Sequence, residues 1–477
     1  TMENDIKGMD RREFLKRLGL GAAAVAGVSL AGCGSPEEKA EETAAGGEIP
    51  TDKMEYRKNP KTGEAVSLLG YGCMRWPTVA DDKDGGERLD QEQINRLVDY
   101  AIEHGVNYFD TSPAYCQGKS EEATGIALSR HPREKYFIAT KMSNFHPSTW
   151  TREASIGIYR KSLEYLRTDH IDYMLLHCIG MGANDLSGKE LTGMEAFKAR
   201  FEDNGILDFL VEERAAGRIR NLGFSYHGDI EVYDYLLSQH DKYKWDFVQI
   251  QVNYVDWLHA KEINPRNTNG EYLYGELEKR GIPAVIMEPL LGGRLAHVPE
   301  FAQAVMKQRS PEASIASWAF RYAGTPRGVL TVLSGMTYME HLQDNLRTYA
   351  PFTPCSEEEL AMLHEIGDAY VDKSYVPCTN CQYCMPCPYG IDIPSIFHHY
   401  NKMITEGWYE VKVTDEEYAK ARRAYLVGYD RTVPKLRQAN HCIGCGKCVA
   451  HCPQKIKIPH ELHRIDRYVE ELKRGGV

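Results

Sequence analysis

Between residues 55 and 352, short runs rich in β-branched and aromatic residues alternate eight times with stretches of helical patterning. The runs are 67–72, 106–111, 136–141, 171–177, 219–225, 247–253, 283–289 and 329–335. Strands that alternate with helices form parallel sheets, whose faces the helices must cover. Eight such units in about 300 residues predict a closed (β/α)8 TIM barrel. Segments such as Gln91 to Glu103 and Thr151 to Leu166 space their apolar residues by three and four, as outer helices do. Two connections, 178–202 and 254–270, are longer than the rest and are expected to wall a binding site.

Polar residues fall at the ends of these strands. Asp110 ends the second, Tyr115 lies in the loop beyond it, Lys141 ends the third and His177 ends the fourth. Barrel active sites are built at that C-terminal face. Each residue alone has a structural reading: an ion pair, a rim tyrosine, a satisfied core histidine. Together on successive strand ends they form a catalytic set. An Asp–Lys pair beside a tyrosine favours the phenolate and is expected to lower the tyrosine pKa, giving a tunable general acid. A neutral histidine on the next strand is expected to hydrogen-bond a substrate carbonyl oxygen.

Through NYFDTSPAY (Asp110, Tyr115), FIATK (Lys141) and DYMLLH (His177), residues 60 to 350 resemble the aldo/keto reductase superfamily. The resemblance implies that Tyr115 protonates a carbonyl oxygen while a nicotinamide, NADH or NADPH, delivers hydride to carbon. It also implies a nicotinamide site at Ser225, Gln249, Met287 and Glu288, and an adenosine end at Gly335, His341 and Asn345. Several positions depart from the family. Tyr226 stands where asparagine is usual, Met287 where an aromatic residue stacks on nicotinamide, and Gly335, Met336 and His341 where NADPH-using relatives place lysine, serine and arginine. Without fixed cations a 2′-phosphate has no charge-assisted partners. NADH, a tightly retained dinucleotide and a vestigial site stay open. Arg75 and Trp76 are expected to shape the pocket. Cys116 and Cys178, beside Tyr115 and His177, read as small packing residues or, alternatively, as a redox-active pair.

Eight cysteines lie in two C-terminal runs, CTNCQYCMPCP (Cys378, Cys381, Cys384, Cys387) and CIGCGKCVAHCP (Cys442, Cys445, Cys448, Cys452). The second has the ferredoxin spacing, three thiolates two residues apart and a fourth before proline; the first is one residue short before its last cysteine. Both continue alike, as Cys-Pro-x-x-Ile-x-Ile-Pro. The duplication predicts two 4Fe–4S clusters, with zinc and disulfides as the alternatives. The 54 residues between the runs include a helix expected from Thr414 to Tyr429, with Thr414 as its cap. This layout resembles an α-helical ferredoxin domain, and the chain as a whole resembles ferredoxin-containing aldo/keto reductase-like proteins. The ferredoxin rule, in which each fourth cysteine serves the other cluster, implies the quartets Cys378, Cys381, Cys384, Cys452 and Cys442, Cys445, Cys448, Cys387.

Arg11-Arg12-Glu13-Phe14-Leu15-Lys16 precedes an uncharged stretch ending Leu30-Ala31-Gly32-Cys33. This reads as a twin-arginine export signal with a lipobox-like end, so a periplasmic or outer-membrane-face location with a lipid anchor at Cys33 is expected. The expected organisation is a signal over 1–33, a flexible linker over 34–54, the barrel over 55–352 and the cluster domain over 353–477. A net charge of −11 with no basic stripe speaks against nucleic acid as a partner. The expected partners are a small carbonyl or alcohol and a redox protein. Two functions compete: a carbonyl/alcohol oxidoreductase wired to its clusters, and an electron-transfer or cluster-stapled scaffold whose barrel no longer uses nicotinamide.

Overall fold

In the computed structural model, which describes residues 48–81, 86–371 and 375–475, eight parallel strands close into a ring. They are β1 (Leu69–Gly72), β2 (Tyr108–Asp110), β3 (Phe137–Met142), β4 (Ile171–Ile179), β5 (Ile219–Tyr226), β6 (Phe247–Gln251), β7 (Ala284–Met287) and β8 (Val329–Ser334). Each strand pairs with its successor and β8 pairs with β1, as expected of the (β/α)8 fold. Large rings fill the interior: Tyr173 lies 4.9 Å from Tyr108 and 5.1 Å from Phe247, centroid to centroid. Such packing makes the barrel a core and not a pore, leaving the strand ends as the place for chemistry.

The base of the barrel is closed by an antiparallel hairpin, Tyr56–Lys58 against Ala65–Ser67. Buried Asn59 in its turn donates from Nδ2 to Tyr173 Oη at 3.0 Å and to Asn221 Oδ1 at 3.2 Å. Ser67, expected to open the first barrel strand, pairs instead with Tyr56 in this hairpin.

Helices follow the strands: α1 (Gln91–Glu103), α2 (Ser120–Leu128), α3 (Arg152–Tyr165), α4 (Ile206–Ala215), α5 (Ile230–Ser238), α6 (Gly270–Glu278), α7 (Ile315–Gly324) and α8 (Met339–Tyr349). The α1 face Ile94, Leu97, Val98 and Ala101 is buried, and Asp90 caps the helix by accepting from Gln93 N at 3.1 Å. Thr151 caps α3 by accepting from Ala154 N at 3.2 Å. Each cap contributes about 1 kcal/mol by satisfying an amide left over at a helix start. The long connection 178–202 folds into a short hairpin, Ala183–Asn184 with Glu190–Leu191, then a helical turn that runs into a π-helix, Lys198–Glu202.

The barrel unit extends past residue 352. A further helix, α9 (Glu357–Val371), buries Met362, Leu363, Ile366 and Tyr370 in the barrel's own core, and Ile49 and Met54, inside the expected linker, join them. A separate core holds α10 (Ile393–Thr405), α11 (Tyr418–Thr432) and α12 (Ile458–Arg474). The duplicated motif has a structural meaning here. Ile391 and Ile393 at the start of α10, and Ile456 and Ile458 at the start of α12, are all buried in this one core, and each helix carries proline in its first turn. Along α12 the buried residues Ile458, Leu462, Ile465, Val469 and Leu472 recur at three- and four-residue spacing. The helix expected from Thr414 starts later, at Tyr418, with no side-chain cap. The signal over 1–33, Cys33 and the first part of the linker lie outside the described residues. No helix among the described residues is long and apolar enough to cross a membrane.

Candidate active site

Strand geometry brings the four expected residues together. Lys141 Nζ, from β3, donates to Asp110 Oδ1 of β2 at 2.5 Å and to the Thr111 carbonyl at 2.7 Å. The ammonium stands 4.7 Å from the centre of the Tyr115 ring, and that ring meets His177 edge-on at 5.9 Å. All four side chains are buried, with Asp110 Oδ2 left without a partner. A buried ion pair contributes little net stability, because desolvation offsets its attraction.

Electrostatics correct one expectation. The Tyr115 phenol is pushed well above its ordinary pKa, by burial first and then by Asp110, Tyr383 and the neighbouring thiols. Burial deprives a phenolate of water, and Asp110 cancels the field of Lys141 at close range. Tyr115 is therefore a firmly protonated donor and not a lowered acid. His177 is pushed well below its ordinary value by burial, then by Lys141, Arg200 and His227, and so is neutral. Its Nδ1 is held by Ser143 Oγ at 2.6 Å, which orients the ring.

Three neighbours were not found by sequence reasoning. Ser143 lies just beyond β3, and Phe145 tilts against His177 at 4.8 Å. Arg200, in the π-helix, is buried; it donates to the His177 carbonyl at 2.8 Å and to Asn144 Oδ1 at 3.3 Å, between the rings of Phe145 and Phe201. Only its position in a long connection pointed to Arg200. Tyr115 is followed by three left-handed residues, Cys116, Gln117 and Gly118, with φ of 49°, 54° and 85°. Backbone strain of this kind gathers at functional sites, where surrounding contacts hold it. Cys116 and Cys178 are both free thiols, with Cys178 buried and Cys116 partly so.

The cysteine runs fold into two groups. Burial raises the thiol pKa of Cys378, Cys381 and Cys384, and the charge of Cys452 is a further cause in all three, which places these four together. At Cys448, burial is followed by the charges of Cys442, Cys387 and Cys445. The loops between the cysteines turn through left-handed residues: Asn380 and Gln382 in the first run, Gly444 and Gly446 in the second. Chain curled this way can present successive thiolates to one body. Among the described residues no three His, Cys, Asp or Glu side chains converge tightly enough for a single metal ion.

The first run lies on the mouth of the barrel. Arg75 donates from Nη2 to the Thr379 carbonyl at 2.5 Å and from Nη1 to the Asn380 carbonyl at 3.3 Å. Gly292, with φ +71°, approaches Thr379 so closely that a Cβ there would stand 2.5 Å from the Thr379 Cα. Tyr383 reaches in far enough for Asp110, Cys116 and Cys178 to act on its phenol, its ring 6.4 Å from Phe145. Beside this contact a cleft of about 1880 Å³ opens between barrel and cluster unit. Ala114, Cys116, Phe145 and Cys178, which flank Tyr115 and His177, form part of its lining, as do Arg75 and Trp76.

Residues 68–368 match the aldo/keto reductase family, and residues 377–457 match a 4Fe-4S dicluster domain. The chain belongs to the aldo/keto reductase family. The uncharacterized oxidoreductase YqkF of Bacillus subtilis is 25% identical over 342 residues, 66% of this chain and 98% of that protein. L-galactose dehydrogenase of Arabidopsis thaliana is 23% identical over 310 residues, 62% of this chain and 88% of that one. Among solved structures, an aldo-keto reductase of Bacillus halodurans in its holo form shares 21% identity across 66% of this chain and 96% of its own, with a TM-score of 0.49.

Aldo/keto reductases use a nicotinamide, and the residues expected to hold one are largely committed elsewhere. Ser225 Oγ accepts from Cys178 N at 2.9 Å, and Gln249 Nε2 meets Met287 Sδ at 3.6 Å. Asn345 Nδ2 donates to Ser334 Oγ at 2.8 Å, and Gly335 packs on Arg75. Tyr226 turns its hydroxyl to the Gly228 carbonyl. His341 is pushed below its ordinary value by desolvation, so it offers no cation to a 2′-phosphate. The Glu288 carboxyl is raised by burial, with Arg75 opposing. Of these residues, Gln249 alone has a buried acceptor, Oε1, without a partner. Ser225, Gln249, Met287, Glu288, Gly335, His341 and Asn345 are all absent from the lining of the cleft. As the chain stands, a dinucleotide does not fit.

Proposed function

We propose that this protein interconverts a carbonyl and an alcohol, working towards reduction, and exchanges electrons with a redox protein through its C-terminal clusters. The observation that carries the reading is the meeting of Asp110, Tyr115, Lys141 and His177 directly beneath the first cysteine run. Cys378, Cys381, Cys384 and Cys452 would hold one 4Fe–4S cluster, and Cys387, Cys442, Cys445 and Cys448 the other, each supplying single electrons when bound.

This chain's own residues do the rest. Neutral His177, oriented by Ser143, donates a hydrogen bond that fixes the substrate oxygen. Protonated Tyr115 gives its proton to that oxygen as negative charge develops, and the Lys141 ammonium stabilises the phenolate left behind. Asp110 holds Lys141 in place. The buried site excludes bulk water, which strengthens each of these interactions.

The scaffold reading has support in the committed nicotinamide residues. Against it stands the buried Asp110–Lys141 pair, a costly arrangement with no structural partner for Asp110 Oδ2. Twin-arginine export with a lipid anchor at Cys33 belongs to this proposal, since that route carries folded proteins and their cofactors; fractionation of cells expressing the full chain and its Cys33→Ala variant tests it. The reductase reading is tested by purifying the protein anaerobically, measuring iron and sulfide, and assaying aldehyde reduction with chemically reduced donors. A Tyr115→Phe variant that keeps both clusters and full carbonyl reduction would remove the proton-donor role.

A further inference from the structure

We propose that Thr379–Tyr383 of the first cysteine run stands in the place a dinucleotide would take, so that this barrel receives its electrons singly and acts on carbonyls conjugated to a π system. The inference rests on the reductase reading and names its electron source and substrate class.

Three barrel loops carry the displacement. Arg75 after β1 clamps the Thr379 and Asn380 carbonyls, Gly292 after β7 lies against Thr379, and Phe145 after β3 meets Tyr383. The Gly292 loop follows β7, the strand that ends in buried Met287, and the Arg75 loop follows β1, one strand beyond β8; Ser225 and Gln249 on β5 and β6 are likewise buried and absent from the cleft lining. The contact at Gly292 leaves no room for even a methyl group, so nothing the size of a pyrophosphate passes there while the loop is seated. Gln249 Oε1 is a buried acceptor with no partner, while Met287 is 8% exposed and meets Gln249 Nε2. The loop that fills the space is itself lined by the thiols of Cys378, Cys381 and Cys384.

The chemistry then follows from electron counting. Reduction of C=O to CH–OH takes two electrons and two protons. A one-electron carrier protein is oxidised twice, the C=O π bond opens, and the oxygen receives its proton from Tyr115. Carbon receives the second proton from water in the cleft, and solvent reprotonates Tyr115. After the first electron the substrate holds an unpaired spin. An isolated carbonyl confines that spin to two atoms, whereas a conjugated ring or alkene spreads it and brings the intermediate within reach. The cleft, with Trp76 and Phe145 in its wall, offers apolar surface to such a flat group.

The test uses the cluster-loaded full chain under anaerobic conditions. Equilibrium dialysis against NADH and NADPH at millimolar concentration is expected to show no bound dinucleotide. Reduced methyl viologen is expected to reduce cinnamaldehyde at least about tenfold faster than its saturated counterpart, 3-phenylpropanal. Stoichiometric binding of either dinucleotide to the loaded protein overturns the displacement. Equal rates on the two aldehydes overturn the substrate class. If no donor reduces either aldehyde, the reductase reading fails and takes the substrate class with it, while dialysis alone still decides whether the loop has replaced the dinucleotide.

Discussion

The two cysteine quartets grow from one duplicated motif yet meet different surroundings. The quartet of Cys378, Cys381, Cys384 and Cys452 is seated on the barrel mouth, with Cys452 only 6% exposed and Tyr383 reaching towards Asp110. The quartet of Cys387, Cys442, Cys445 and Cys448 includes the exposed Cys445, next but one to Ile443, itself 62% exposed. Cys384 feels the charges of both Cys452 and Cys448, so the groups are neighbours. On the proposed function, a buried quartet beside Tyr115 and an accessible one at the surface would give a path with direction, electrons entering at the outer quartet and leaving at the inner. Equal motifs acquire unequal surroundings because the first run, and not the second, is clamped by Arg75 and Gly292.

The largest expected effect separates the two. Cys452→Ser should abolish carbonyl reduction and remove one cluster's EPR signal, whereas Cys445→Ser should slow protein-mediated reduction while a small reductant such as viologen still drives turnover. Equal losses with viologen would break the distinction. Next comes the chemical end of the path: Tyr115→Phe should lower turnover by about 10²- to 10⁴-fold with both EPR signals unchanged. A shift in those signals would mean that Tyr115 acts through the cluster loop instead.

The third prediction concerns the barrel beneath the inner quartet. Glu121, buried in α2, accepts from Thr140 Oγ1 at 2.5 Å; burial pushes its carboxyl up to about 7, with the bonds from Thr140 and Ser162 and the charge of Lys141 opposing. In the unfolded chain it titrates near 4.5. Between these values the folded state binds more protons than the unfolded, so stability falls as pH rises from about 4.5 to about 7 and levels off above. The loss is at most about 3 kcal/mol. Glu121→Gln should flatten the difference between melting temperatures at pH 5 and pH 8, and an unchanged difference would assign the pH dependence to other groups. The smallest effect belongs to the seat of the inner loop. Arg75→Ala removes two charged hydrogen bonds from Thr379 and Asn380 and should weaken docking by about 2 kcal/mol. It should broaden or move the inner EPR signal and leave the outer one alone.

Much of the fold was legible because it is local. The eight strands announced themselves by β-branched runs, α1 matched its expected bounds, and α3 lay inside its expected span behind the Thr151 cap. The limits of that reading were equally physical. α9 looked like the start of the cluster unit, since nothing in its sequence says which core Leu363 and Ile366 will enter. Thr414 has the chemistry of a cap, but the helix begins only at Tyr418. The pKa of Tyr115 went the other way from expectation because burial and Asp110 outweigh a neighbouring ammonium, a balance set by distances that sequence does not carry.

By itself the sequence determined the barrel, the four polar residues at its strand ends and the two sets of thiols, since strand period, strand ends and cysteine spacing are properties of neighbouring residues. Only the tertiary structure decided that Thr379 lies on Gly292, that Arg75 is a clamp and not a free pocket wall, and that Tyr383 shares the mouth with Tyr115. Those contacts join segments far apart in the chain. They arise from the docking of one core against another, for which no local pattern of residues is required.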